Sequence, residues 1–173
     1  MTLSRLLLLF TLSGCEGDDP PPVNPPESGP PLIFETEFRS SYTPVRACRS
    51  PGEHSGLNAY TVWVNEIGRS SFSAIWQTPP AVTELAAGTV VVKEVYSGSD
   101  CDPKTVERWV AMEKEPGFDP AHGDWHWQEV LADRKVRVDG ADVACIHCHA
   151  GDEPSCAEYG LKAGRDYLCT APP

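Results

Sequence analysis

Near the C-terminal end of the chain, two thiols and an imidazole stand together in Cys145-Ile146-His147-Cys148-His149. Thiols three positions apart can each add across one vinyl group of a porphyrin, and the histidine that follows can supply an axial nitrogen to its iron. The pattern reads as the attachment signature of one covalent haem c. Cys145 and Cys148 would form the thioethers, and His149 Nε2 would be the metal ligand. Two other chemistries use Cys-x-x-Cys. A thioredoxin-like redox pair is expected beside a βαβ unit, and the sequence has no such rhythm. A zinc site wants a second thiol pair of similar spacing, which Cys156 and Cys169 do not supply.

Covalent haem of this kind belongs outside the cytoplasm, and the start of the chain agrees. Residues 1–14 place Arg5 before the apolar run Leu6-Leu7-Leu8-Leu9-Phe10 and end in Leu12-Ser13-Gly14, just ahead of Cys15. A basic start, a short apolar core and small residues before a cut make a secretory signal. The run is too short to remain as a membrane span. Leu-Ser-Gly-Cys resembles a bacterial lipobox, which makes Cys15 the lipidated N-terminus of the exported chain; the plainer alternative is an ordinary signal cleaved nearby. Acyl chains on Cys15 would anchor the protein without a transmembrane helix. Glu16, where an aspartate would favour the inner membrane, points to the periplasmic face of the outer membrane. Residues 15–32 are dense in proline, which cannot donate backbone hydrogen bonds and favours an extended conformation. They read as a semi-rigid tether, leaving 33–173 as the haem domain.

Seven cysteines occur in the chain. Setting aside Cys15, Cys145 and Cys148 leaves an even set, which an oxidising compartment would pair. Cys48–Cys101 would clamp the early sheet and Cys156–Cys169 would close a short C-terminal loop; the alternative leaves one of these thiols reactive. The formal net charge of −11 at pH 7 becomes one unit more negative when Arg5 is removed. Such acidity argues against nucleic-acid binding. It suits a soluble surface, or a basic redox partner.

These groups need elements to position them. Alternation and β-rich composition predict strands over 60–65, 89–96, 108–114 and 125–131, with a short one over 136–138. A helix is expected over 71–76, ending before Pro79-Pro80. The class is α+β: an antiparallel β-sheet with a few helices, the helix bearing the Cys-x-x-Cys-His motif coming late. That order is unlike the small all-helical c-type cytochromes.

Gly88-Thr89-Val90-Val91-Val92-Lys93-Glu94, Met112-Glu113-Lys114, Gly123-Asp124-Trp125-His126-Trp127, the late haem motif and Asp166-Tyr167-Leu168-Cys169-Thr170 occur in that order. In this the chain resembles the cytochrome P460 family, which includes the β-sheet type of cytochrome c′. The resemblance implies an antiparallel sheet around one high-spin haem, open on its distal side to small ligands. In the P460 branch a lysine is cross-linked to the porphyrin and hydroxylamine is oxidised; in the cytochrome c′ branch the haem binds nitric oxide. Lys93 matches the cross-linking lysine, with Lys114 the alternative, while the plain reading of Lys93 is a solvent-facing strand residue. The extra thiols, lipid anchor and tether depart from the family pattern. The partners implied are small nitrogen ligands or substrates, a periplasmic redox partner, the membrane through the lipid anchor and a second copy of the chain. Three other roles stay open: gas sensing without turnover, electron transfer with both axial sites filled, and a structural lipoprotein.

Among the remaining side chains, His147 reads as an outward spacer in the haem motif, and His54 and His122 as exposed turn residues. His126 should face opposite Trp125 and Trp127. Met112 is the one thioether of the exported chain and reads as core. Trp63, Trp76 and Trp109 read with Trp125 and Trp127 as core and haem-wall residues. Glu113, Glu115 and Glu129 read as solvated, although a carboxylate near the iron would serve as a proton acceptor.

Overall fold

The computed structural model describes residues 29–49, 58–77, 80–152 and 165–169. The signal, Cys15, most of the tether, His54 and Cys156 lie outside the described residues. Strands and helices run in the order β1 (Thr43–Arg49), β2 (Tyr60–Val64), α1 (Glu66–Ile75), β3 (Val90–Tyr96), β4 (Val106–Lys114), β5 (Trp125–Leu131), β6 (Val136–Gly140) and α2 (Val143–His149). The six strands form an antiparallel meander in chain order, so the class is α+β. No described helix is long and apolar enough to cross a membrane.

Directly opposed residues share a face of a sheet, and the register therefore sorts the side chains. Val64, Val91, Met112 and Trp127 lie in one cross-strand row, and Val62, Lys93, Val110 and Glu129 in the next. This inner face buries Val64, Val91, Met112, Trp125 and Trp127 beneath Phe72 and Ile75 of α1, Ile146 of α2, and Leu168. The outer face carries Val90, Val92, Trp109, Ala111 and Val130, covered by Phe34 and Phe38. Every residue of β3 except Lys93 is buried. A strand covered on both faces reads as a continuous apolar run, which is why Val90-Val91-Val92 is so plain in the sequence.

Glu94, also on β3, is fully buried on the outer face. Its carboxylate accepts from Tyr96 Oη at 2.7 Å and Trp109 Nε1 at 3.1 Å, and it pairs with Arg39. These bonds supply the partners a buried carboxylate requires and tie the segment before β1 to the sheet.

The element boundaries differ from expectation in physically simple ways. Strand β1 carries Pro44, Arg46 and Arg49 and is irregularly paired to β2 alone. An edge strand tolerates proline and charge, so it leaves little periodic signal. Helix α1 starts at Glu66 rather than Ser71 because Asn65 turns from strand residue to helix cap. Its Oδ1 accepts from Gly68 N at 3.0 Å and Val90 N at 3.1 Å, while Nδ2 donates to the Gly88 carbonyl at 2.8 Å. A Cβ on Gly68 would lie 2.4 Å from Thr89 Cγ2 and 2.8 Å from Val64 Cγ2, so glycine lets α1 rest directly on β2 and β3.

Cys48 and Cys101 form a disulfide with a Cα separation of 5.7 Å, joining β1 to the connection after β3. Cys169 is also disulfide-bonded, and the expected partner Cys156 lies outside the described residues.

Candidate functional site

Helix α2 is built around the Cys-x-x-Cys-His motif. Asp142 caps it, its carboxylate accepting from Ala144 N and Cys145 N at 3.0 Å each. These two bonds hold the Asp142 carboxyl below its ordinary range, the Cys145 amide contributing most. Residues three apart lie on one side of a helix, which brings Cys145 and Cys148 together. Neither is in a disulfide, and both are half-buried. Burial first, and the Asp142 carboxylate second, push the Cys145 thiol up to about 12. A thioredoxin-like nucleophile has the opposite character, a thiolate favoured by a helix N-terminus or neighbouring cations. A protonated Cys145 is therefore a poor redox nucleophile.

The last residue of α2, His149, is buried. Its Nδ1–H donates to the Tyr167 carbonyl at 2.6 Å, and its ring meets Trp127 edge-on at 4.7 Å. Since a carbonyl can only accept, Nδ1 carries the proton and the lone pair sits on Nε2. Burial pushes the imidazole down to about 4, with the Lys93 ammonium acting in the same sense and the Tyr167 carbonyl against it. His149 is thus a neutral base with a defined tautomer, the form in which imidazole binds metal.

His149 lines a cavity whose empty volume, open mouth included, is about 530 Å³. Its walls come largely from the inner face of the sheet: Val62, Val91, Met112 and Trp127, with Tyr60 and Lys93 as polar groups. Such a concave, mainly apolar site with few polar groups suits a flat, apolar cofactor or a small ligand. The elements of a haem site are present in kind: two cysteines outside any disulfide on one helical side, then a buried imidazole that lines a mainly apolar cavity, although neither cysteine is among the described residues lining it.

The structure brings Lys93 and His149 to the same cavity. Lys93 is half-buried rather than solvent-facing, and its ammonium lies 4.2 Å from the centre of the Tyr60 ring. Lys114 is elsewhere: Nζ donates to the Asp166 carboxylate at 2.8 and 3.0 Å. Of the two candidate lysines, Lys93 is the one on the cavity wall. Met112 is buried in the core as expected, and it also lines the cavity.

The other described histidines stand away from it. His126 is on the outer face, stacked on Phe118 at 4.4 Å, with its nitrogens 3.3 Å from Glu115 and 3.0 Å from Asp139. Glu113 offers a carboxylate oxygen close to Glu115 and His126 on that same face. Burial and then Glu115 raise its pKa. His122 pairs with Asp119 at 2.8 Å in a surface turn, and His147 is exposed beside Asp152. Trp125 and Trp127 belong to the inner core, whereas Trp109 is part of the outer one. Glu129 corrects its expectation: it is buried on the inner face and ion-paired by Arg108 and Arg137. No carboxylate appears among the described residues lining the cavity.

Sequence reasoning missed two contributors. Tyr60 reads simply as the start of a strand. The Tyr167 carbonyl that orients His149 is a backbone group, and no residue type announces it. Comparison with protein-family models and with curated proteins gives no match for this chain.

Proposed function

We propose that this chain is a P460-like, mono-haem c-type cytochrome that binds or oxidises small nitrogen compounds, hydroxylamine and nitric oxide, at an open haem iron. One observation carries the reading. Two cysteines outside any disulfide, on one side of α2, adjoin a buried His149 that lines a mainly apolar cavity and carries its lone pair on Nε2. Cys145 and Cys148 would each form one carbon–sulfur bond to a vinyl group, the thiol proton going to the other vinyl carbon, so attachment needs no oxidant. His149 Nε2 would ligate the iron, held in place by the Tyr167 carbonyl. Haem so bound would supply a Lewis-acidic, one-electron metal to a small nitrogen ligand. Val62, Val91 and Trp127 would exclude water around it, and Lys93 would lie within reach for a cross-link. Electrons from hydroxylamine would pass to a periplasmic redox partner, and the lipidated Cys15 would hold the protein at the outer membrane.

Met112 on the cavity wall favours a second reading, electron transfer with a thioether as sixth ligand. An optical spectrum separates the two: an open site gives a high-spin pattern that changes with nitric oxide after reduction, a filled one sharp α and β bands. Covalent attachment is tested by denaturing gel electrophoresis with a peroxidase stain, using protein matured with a working cytochrome c assembly system. Haem should travel with the polypeptide; extraction by acid and organic solvent would refute attachment. Lys93→Ala tests the P460 branch. An unchanged spectrum and unchanged hydroxylamine turnover would remove the cross-link and leave nitric oxide binding.

A further inference from the structure

The segment 165–169 has no regular secondary structure, yet Asp166, Tyr167 and Leu168 are all buried. Asp166 and Tyr167 have φ of +46° and +63°, two successive left-handed residues that are not glycine. Each such conformation is costly and persists only where the surroundings impose it. Here the surroundings are a polar clamp. Asp166 Oδ2 accepts from Leu85 N at 2.7 Å and Lys114 Nζ at 3.0 Å, and Oδ1 accepts from Lys114 Nζ at 2.8 Å and Trp125 Nε1 at 3.3 Å. One carboxylate thereby fastens the strained turn to β4, to β5 and to the connection before β3. The turn closes with Leu168 N donating to the Arg165 carbonyl at 2.8 Å. Its product is the placement of the next carbonyl in the chain, Tyr167 O, 2.6 Å from His149 Nδ1.

We infer that the Lys114–Asp166 ion pair is a positioning device for the axial ligand, acting through the Tyr167 carbonyl to hold the orientation, tautomer and basicity of His149. A hydrogen bond from the outer nitrogen of a ligating imidazole raises its donor strength. The inference rests on the haem reading above. Neither Lys114 nor Asp166 touches the iron site itself, so both are positioning residues.

The test uses the haem-bearing full chain and two readouts, the iron–histidine stretching band of the ferrous protein and the midpoint potential. Asp166→Asn should slacken the turn, weaken the bond from Nδ1 and make the imidazole a poorer donor. The band should move to lower frequency and the potential should rise, because the ferric state loses more stabilisation. Lys114→Gln, which can still donate one bond to Asp166 and keeps Leu85 and Trp125 in place, should give smaller shifts in the same directions. It also decides the matter if Asp166→Asn fails to mature. Tyr167→Phe retains the carbonyl and should leave both readouts where they were. Unmoved readouts in a folded, haem-bearing Asp166 or Lys114 variant would overturn the inference while leaving attachment intact. Equal shifts in Tyr167→Phe would overturn it too, since the effect would then be general packing. A wild-type ferrous protein that carries covalent haem yet shows no iron–histidine band with the sixth site open would overturn this inference, whereas a polypeptide that carries no covalent haem on a denaturing gel would overturn the attachment reading.

Discussion

Removing the Cys48–Cys101 bond by Cys48→Ala with Cys101→Ala should destabilise the fold without disturbing the cavity. Cys48 is exposed and Cys101 half-buried, so little apolar packing is lost and the dominant effect lies in the unfolded chain. The bond links residues 53 apart in sequence. A loop of that length removes about 14 cal/mol/K from the unfolded ensemble, or roughly 4 kcal/mol at 25 °C. At roughly 4 °C per kcal/mol for a domain of this size, Tm should fall by about 15 °C. Urea unfolding followed by far-ultraviolet circular dichroism measures the loss. The m-value should rise, because a chain freed of its cross-link exposes more surface on unfolding. The first strand to separate should be β1, an edge strand held to the sheet on one side only. A loss below about 1 kcal/mol with an unchanged m-value would refute the entropic argument. A large loss with an altered spectrum of the haem proposed above would show instead that the bond shapes the cavity, through Cys101 and its contact with the Tyr60 carbonyl.

Glu94→Ala would leave Trp109 Nε1 without its acceptor and take one of the two side-chain partners, Glu94 and Thr61, from Tyr96 Oη inside the outer core. It should cost about 2–4 kcal/mol in chemical denaturation, less than a wholly buried ion pair because Arg39 can rehydrate. Its optical spectrum should stay that of the parent protein, since Glu94 is on the face opposite the cavity. Asp142→Ala should lose a helix cap and about 1 kcal/mol, measured in the same way. The Asp142 carboxyl sits below its ordinary pKa in the folded protein, so its ionised form is the stabilising one. That contribution is in place above about pH 4 and fades as pH falls through the depressed value. The stability difference between wild type and Asp142→Asn should therefore close on acidification; a gap that widens would contradict the assignment.

What the sequence alone determined is whatever is local or repetitive. Cys145 to His149 is a contiguous motif, and the haem reading of it needs only residue types and spacing. Strands β2 to β5 are legible because alternation and β-branched runs report a pleated, buried surface residue by residue. The parity of the cysteines, in a chain whose start reads as an export signal, pointed to disulfides, and Cys48 with Cys101 is joined in the fold. Tertiary structure decided the rest, because it depends on groups far apart in the chain. Strand β1 is held by its neighbour rather than by its own pattern. Asn65 becomes a cap only because Gly68 allows α1 onto the sheet. Lys93 and Lys114 are indistinguishable as strand lysines until register puts one on the cavity wall and Asp166 claims the other. Glu129 looks like a solvated carboxylate until Arg108 and Arg137 fold over it. The orientation of His149 depends on a backbone carbonyl brought close by a strained turn, and a carbonyl is common to every residue.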